Sequence, residues 1–176
     1  MIMYGDVVAK VTGMKGDDAH IISLDEISRL PSQLNDPIML FKGSIEDSYV
    51  ALTEIVDKQG HDVVVAIHIK HKHARSEITK IASLYSKTNN YGQNRIEAYV
   101  QRQISEGNLL DVSIKKAPMW FTTRGLQLPK VVQTIIDATT SRPDSAEKSN
   151  PQRKFLQKNL RGVVRPCPKA LTLLPS

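Results

Sequence analysis

The stretch Glu77-Ile-Thr-Lys-Ile-Ala-Ser-Leu-Tyr-Ser-Lys87 gathers hydroxyl, phenol and ammonium groups within a few residues. In an extended chain successive side chains alternate between faces. Ile81, Ser83, Tyr85 and Lys87 then share one face, and Lys80, Ala82, Leu84 and Ser86 the other. A row of Ser83, Tyr85 and Lys87 suits a phosphodiester, because hydroxyls donate to its oxygens and the ammonium offsets its charge. His20 is a second candidate. It stands just before a helix start, near Asp17 and Asp18. A histidine titrating near neutrality can pass a proton to or from a ribose hydroxyl or a leaving oxygen. The alternative is that His20 caps or packs the helix start. His68, His71 and His73 form a third group, with Lys70 and Lys72 between them. On a strand His71 and His73 share a face and suit a metal. No carboxylate is spaced to complete that shell, however, and the lysines repel a cation. The expectation is no metal; the alternatives are a basic hairpin end of Lys70, Lys72 and Arg75 that touches phosphates, and a plain solvated loop. Ser44 and Thr53 are single hydroxyls on or beside strands.

Other chemistries lack their motifs. The chain has no Gly-x-Ser-x-Gly, no phosphate-cradling Gly-x-x-x-x-Gly-Lys, no Gly-x-Gly-x-x-Gly and no zincin helix. That disfavours elbow-type hydrolases, NTPases and dehydrogenases, and no cofactor is expected. Cys167 is the only cysteine, which leaves no disulfide framework or cysteine zinc site within one chain. The first residues lack a basic region followed by an apolar run, and no segment reaches the roughly 18 apolar residues of a membrane span. A soluble cytoplasmic protein with no membrane partner is expected. The net charge of +6 is unevenly placed: residues 1–60 hold five Lys/Arg and ten Asp/Glu, whereas 61–176 hold nineteen and eight. Such asymmetry points to a surface that meets a polyanion. Much of it sits in residues 140–176, with eight basic and two acidic residues, so the signal from the globular part is weak.

The elements that must position these groups can be read from periodicity. Tyr4 to Val11 reads as a first strand. Ser23-Leu-Asp-Glu26 is a capping-box pattern opening a helix with Leu24, Ile27 and Leu30 on one face, ended by Pro31. Ile38 to Phe41, Tyr49 to Val56 and Asp62 to Ile69 read as strands, the last two joined by a hairpin turn at Asp57-Lys-Gln-Gly60. In the third, Val63, Val65, Ile67 and Ile69 face one way. Arg75 to Lys87 is the next strand. Asn94 caps a helix carrying Ile96, Val100 and Ile104. Leu109 to Val112 is a short strand, Lys115 to Thr122 a short helix and Val131 to Ala138 a last helix. From Thr140 the composition shifts: five of the nine prolines lie in 140–176, a Pro-rich basic tail or linker. The expected domain is 1–139.

An ordered set of short pieces carries a family likeness. They are His20 before Ile27-Ser-Arg-Leu-Pro31 and Asn35-Asp-Pro37; Ile38-Met-Leu-Phe41 with Ser44; Tyr49-Val-Ala-Leu-Thr-Glu54; and Val63-Val-Val-Ala-Ile67. Ile81-Ala-Ser-Leu-Tyr-Ser-Lys87, Glu106-Gly-Asn-Leu-Leu110, Lys115-Lys-Ala117, Trp120 and Gly125-Leu-Gln-Leu-Pro129 follow. Over about residues 18–130 the chain resembles the C-terminal domain of phage MuF-type and polyvalent proteins, which is associated with the barnase–EndoU–colicin–RelE group of metal-independent ribonucleases. The resemblance implies an α+β fold with N-terminal helices, a mainly antiparallel sheet, later helices and, here, a basic tail. It implies RNA cleavage, and it places polar site positions on His20, Ser44, Thr53, Ser83, Tyr85 and Gln127. Two departures stand out. Ser86 replaces the glycine usual after the motif tyrosine, and Asp111 and Ser113 follow the late Leu-Leu. Asp111 near a phosphate would repel it.

The resulting expectation is an endoribonuclease effector acting on RNA, tRNA among the candidates. His20 is its acid or base; Ser83, Tyr85 and Lys87 lie at the phosphate. An immunity or host protein is its partner, and the target-cell cytoplasm its setting, reached with a phage particle or secretion system. The alternative is a non-catalytic phage protein that blocks a host nucleic-acid machine. An ADP-ribosyltransferase is disfavoured, because no glutamate pairs with a Ser-Thr-Ser-type strand.

Overall fold

The computed structural model describes residues 2–14, 21–73, 76–88 and 93–141, with the side chains of 70–78 outside that set. The described chain runs β1 (Ile2–Met3), α1 (Gly5–Val11), α2 (Leu24–Asn35), β2 (Met39–Lys42), β3 (Ser48–Val56), β4 (Asp62–His73), β5 (Ser76–Ser86), α3 (Ile96–Ser105), β6 (Leu109–Val112), α4 (Lys116–Thr123) and α5 (Lys130–Thr140). The six strands form one sheet in the order β1-β5-β4-β3-β2-β6. Every neighbouring pair is antiparallel except β1 with β5, which is parallel. The fold is α+β, as the sequence implies. Among the described residues no helix is long and apolar enough to cross a membrane.

The sheet separates two cores because its central strands alternate apolar residues onto both faces. One face carries Leu40, Ala51, Val63, Val65, Ile67, Ile81 and Leu84, covered by Val11 of α1 and Leu30 and Leu34 of α2. The other carries Met39, Phe41, Leu52 and Val64, covered by Ile96, Tyr99 and Val100 of α3, Trp120 and Phe121 of α4, and Val132 and Ile136 of α5. Each fully buried Leu, Ile or Phe contributes about 1.5–3 kcal/mol relative to an exposed one.

Two local readings need correction. Residues 5–11 are helical, and the strand is confined to Ile2 and Met3. Val7 and Val11 are four apart and both pack on the α2-side core, so the helical period wins over the β propensity of valine. Pro31 does not end α2; the helix continues to Asn35. Proline removes one intrahelical hydrogen bond. Burial of Leu30, Gln33 and Leu34 around it offsets that loss, and Gln33 adds a clasp: its Nε2 donates to Glu54 Oε2 at 3.3 Å, and its Oε1 accepts from Glu54 N at 3.1 Å. The helix start is as read, with Glu26 N donating to Ser23 Oγ at 3.2 Å. The Glu26 carboxylate turns instead to Arg29, 2.9 Å away.

Candidate functional site

The register of β4 against β5 decides which groups of the Glu77–Lys87 stretch can act together. Ala66 pairs with Ser83, but Ile67 pairs with Ile81, so Ala82 is an extra residue with no opposite number. Such a bulge breaks the two-residue alternation. Ser83 and Tyr85 stay on one face, as expected. Ile81 does not join them: it turns into the α1–α2 core, beside Leu84. Lys80 moves the other way. It pairs with His68 and comes onto the face of Ser83 and Tyr85. The sequence reading of this strand is thus correct from 83 to 86 and inverted for 80 and 81.

On that face Tyr85, Lys87 and Tyr99 form a cluster. Lys87 follows β5 directly, and its carbonyl accepts from Arg95 N at 2.6 Å, which fixes the start of α3 beside it. A bridge between Thr88 and Asn94 closes the connection. The N-cap of α3 is Arg95, one residue after the expected Asn94, whose Oδ1 still accepts from Ile96 N at 3.0 Å. The Lys87 Nζ consequently lies 4.5 Å from the Tyr85 ring centroid and 4.4 Å from that of Tyr99, and the Arg102 guanidinium carbon lies 5.9 Å from the Tyr99 centroid. Tyr99 is itself braced edge-on by Phe41, with centroids 6.2 Å apart. The two cation–π contacts are worth on the order of 1 kcal/mol each.

The electrostatics of the cluster follow from partial burial; Arg102 pairs with Glu106 at 3.8 Å, whereas no carboxylate pairs with Lys87 among the described residues. Burial, and then the nearby Arg102, hold the Lys87 ammonium below its ordinary range. Burial pushes the Tyr85 phenol up. Burial and then Tyr85 push the Tyr99 phenol up to about 12. Both phenols are therefore neutral donors at neutral pH, flanking a cation. The arrangement presents donors and positive charge to a half-open face, which is what an oxyanion requires.

The two departures from the family pattern lie elsewhere. Ser86 faces away from Tyr85, and its Oγ donates to the buried Asp57 Oδ2 at 2.6 Å. Asp57 Oδ1 also accepts from Gln59 N at 3.0 Å and His61 N at 2.8 Å, so Ser86 ties β5 to the hairpin turn. His61 Nδ1 is 3.3 Å from Asp57 Oδ2 but out of line for a hydrogen bond. Serine, histidine and aspartate meet here in the wrong wiring for nucleophilic catalysis, since the hydroxyl donates to the carboxylate and not to the imidazole. Asp111 pairs with Leu40, whose side chain belongs to the α1–α2 core. It is four strands from β5, roughly 20 Å at about 4.8 Å per strand, and on the opposite face. It does not repel an anion at Lys87.

Among the described residues, the remaining sequence candidates do not join the cluster. Thr53 is fully buried; its hydroxyl donates to Val63 O at 3.0 Å inside a bulge of β3, so it has no surface to offer RNA. Ser44 is exposed in the β2–β3 connection, and Gln127 is exposed between α4 and α5. Ser83 is half-buried on the Tyr85 face. His20 and Arg75 lie outside the described residues, as do the side chains of Lys70, Lys72, His71 and His73. Tyr99 and Arg102 were missed. Their only signal is an i, i+3 spacing on a helix whose Ile96 and Val100 read simply as core.

A second charged group lies under α4. Lys116 Nζ is 2.8 Å from Glu54 Oε2 and 3.2 Å from Asp36 Oδ2, and donates to Asp36 O at 2.7 Å. Arg124 pairs with Asp62 and stacks on Trp120 at 4.3 Å. Lys116, Glu54, Arg124, Asp62 and Trp120, with neighbouring Ile38, Met119 and Thr123, line an open cleft of about 210 Å³. Burial pulls the Lys116 ammonium down, but hydrogen bonds to Glu54 and Asp36 outweigh it and the net shift is upward. The Lys116 hydrogen bond holds the Glu54 carboxyl below its ordinary range.

The fold is thus a helix-flanked sheet in which Lys87, just after β5, sits between two phenol rings with no carboxylate pairing with it among the described residues. The chain belongs to the phage MuF C-terminal domain family, which it matches over residues 11–119. The matched span takes in β5, Lys87, Tyr99 and Arg102, and stops before Gln127 and α5. No curated protein and no solved structure matches the chain.

Proposed function

We propose that this domain is a metal-independent endoribonuclease that engages an RNA phosphodiester at Tyr85, Lys87 and Tyr99. The supporting observation is Lys87: an ammonium half-buried between two phenol rings, with Arg102 near and no carboxylate pairing with it among the described residues. In the reaction the 2′-hydroxyl attacks the adjacent phosphorus and the bond to the 5′-oxygen breaks, leaving a 2′,3′-cyclic phosphate and a 5′-hydroxyl. One proton leaves the 2′-oxygen and one reaches the 5′-oxygen. His20 is the candidate for that transfer. Lys87 meets the charge that builds on the non-bridging oxygens, and the neutral phenols of Tyr85 and Tyr99 donate to them. The nuclease class rests on the family resemblance. The setting that goes with it is an effector domain of phage or bacterial origin, with RNA as substrate and an immunity protein as partner.

A lysine held between two phenols without a carboxylate partner also fits a second reading: a binding protein that occludes a host nucleic-acid machine. One assay separates the two. The protein is incubated with RNA in excess chelator and the ends are analysed. Cyclic phosphate ends that vanish with Lys87→Met support the nuclease. Binding without cleavage supports the second reading, and cleavage that returns only on adding a divalent metal rejects the metal-free mechanism.

A further inference from the structure

The bulge at Ala82 creates more than a local irregularity. On one face of β5 it lines up Lys80, Ser83 and Tyr85, with Lys87 directly after. All four are half-buried and not covered over. The helices α3 to α5 lie over β2, β3 and the Tyr85 end of the sheet, where Phe41, Leu52 and Val64 are fully buried. Beyond them Ala66, Ser83, Lys80 and His68 form a partly open strip. At its far end a second cation meets a second ring, Lys80 Nζ lying 4.9 Å from the centroid of Tyr4. Tyr4 follows Ile2 and Met3, and Ile2 pairs with Lys80, so the parallel strand β1 delivers this ring to the strip.

We infer that this face of β5 is a track for single-stranded RNA, with Lys80 and Tyr4 forming a second subsite apart from Tyr85, Lys87 and Tyr99. The inference rests on the proposed phosphate site and extends it. The seven steps from Lys80 to Lys87 span on the order of 20 Å at about 3.3 Å per residue. Phosphates of a stacked strand advance about 3.4 Å each, so the track holds a few nucleotides. The chemistry at both ends is the same: a cation for a phosphate and an aromatic ring for a base. That pairing of a basic path with stacking rings is how proteins hold single strands without reading sequence. Ser83 lies between the two ends, and His68 pairs with Lys80 beside them. Asp47, in the β2–β3 connection, borders this end of the strip, its carbonyl accepting from Ile69 N at 2.8 Å.

The test uses 2′-O-methyl oligonucleotides, which lack the attacking hydroxyl, in a length series from dinucleotide to octanucleotide. Affinity is measured against salt concentration for the full chain and for Lys80→Ala and Tyr4→Leu. For the octanucleotide, Lys80→Ala should lower the log–log salt slope by about 0.7, the value for one lost phosphate contact on a single strand. Tyr4→Leu should weaken octanucleotide binding on the order of tenfold, as loss of one stacked base does. Neither should change dinucleotide binding, which needs only the Lys87 end. An unaltered octanucleotide slope in Lys80→Ala, equal losses at both lengths, or duplex RNA bound as tightly as a single strand would overturn the track. Those results leave the Lys87 site standing. Wild-type protein that binds no oligonucleotide removes both. A track that behaves as stated in a protein that cleaves nothing removes only the nuclease.

Discussion

Lys116 and Lys87 are both partly buried lysines at the rim of the same sheet face, and their surroundings push them in opposite directions. Lys116 sits between two carboxylates and a carbonyl, and its ammonium is held more firmly than in water. Lys87 sits between two phenol rings, and burial makes its charge harder to keep. The first arrangement is complete: the charge is neutralised by the protein, and its product is attachment of α4 to α2 and β3. The second is incomplete. A cation desolvated without a counter-charge gains from an anion supplied from outside, because that anion replaces both the lost water and the missing carboxylate. The difference separates a structural staple from a candidate site more sharply than residue type or cavity size does. The open cleft of about 210 Å³ lies beside the staple.

The strongest break of this comparison is Lys87→Met. RNA cleavage should fall by about 10²–10³-fold, as when one oxyanion donor is removed. The melting temperature should be equal to or above wild type, since methionine fills the slot without a charge to desolvate. A destabilised but active variant would make Lys87 a second staple. Next in size is Tyr85→Phe, which removes only the phenol hydroxyl. Activity should drop at least about tenfold with near-normal thermal unfolding. Full activity in that variant takes Tyr85 out of the site and weakens the nuclease reading as a whole.

Lys116→Met should act the other way, with RNA affinity unchanged and stability lowered. Glu54 is 44% exposed at its side chain, so screening by water keeps the loss to about 1 kcal/mol by urea titration. The smallest expected effect is in alkali. The folded pKa of Lys87 lies below its unfolded value, so between the two the unfolded state binds more protons and stability rises with pH. For Lys116 the folded pKa is the higher one. Its contribution is present below the ordinary lysine range and lost as pH rises through the folded value. Stability curves should therefore lose the alkaline rise in Lys87→Met and the later alkaline fall in Lys116→Met. In acid, the stability that Glu54 contributes is lost as pH falls through its depressed pKa, and Lys116→Met should flatten that limb as well.

Much of the frame was readable because it obeys one period at a time. The alternation from Val63 to Ile69 gave the two faces of β4, and Asp57-Lys-Gln-Gly60 gave the turn beside it. Ser83, Tyr85 and Lys87 could be grouped because they are local and lie on one side of the bulge. The failures share a cause. At Ala82, Pro31 and Val7–Val11 the local pattern is overruled by packing against residues far away in sequence. Nothing in an alanine announces a bulge; the pairing partners on β4 impose it. Tyr99 and Arg102 reach the site only because Lys87 and Arg95 are joined backbone to backbone across a loop, a contact with no signature in composition.

The bulge also bears on how relatives of this chain should be aligned. Were Ala82 absent, Ser83 could still oppose Ala66 and Ile81 could still oppose Ile67, with Lys80 against His68. The strand would lose its bend and some of its twist, yet every flanking side chain would keep its side. One residue of length is thereby uncoupled from the identity of the face. A one-residue gap at this position in a relative marks a change in the curvature of the strand, and not a change in which side chains meet the ligand.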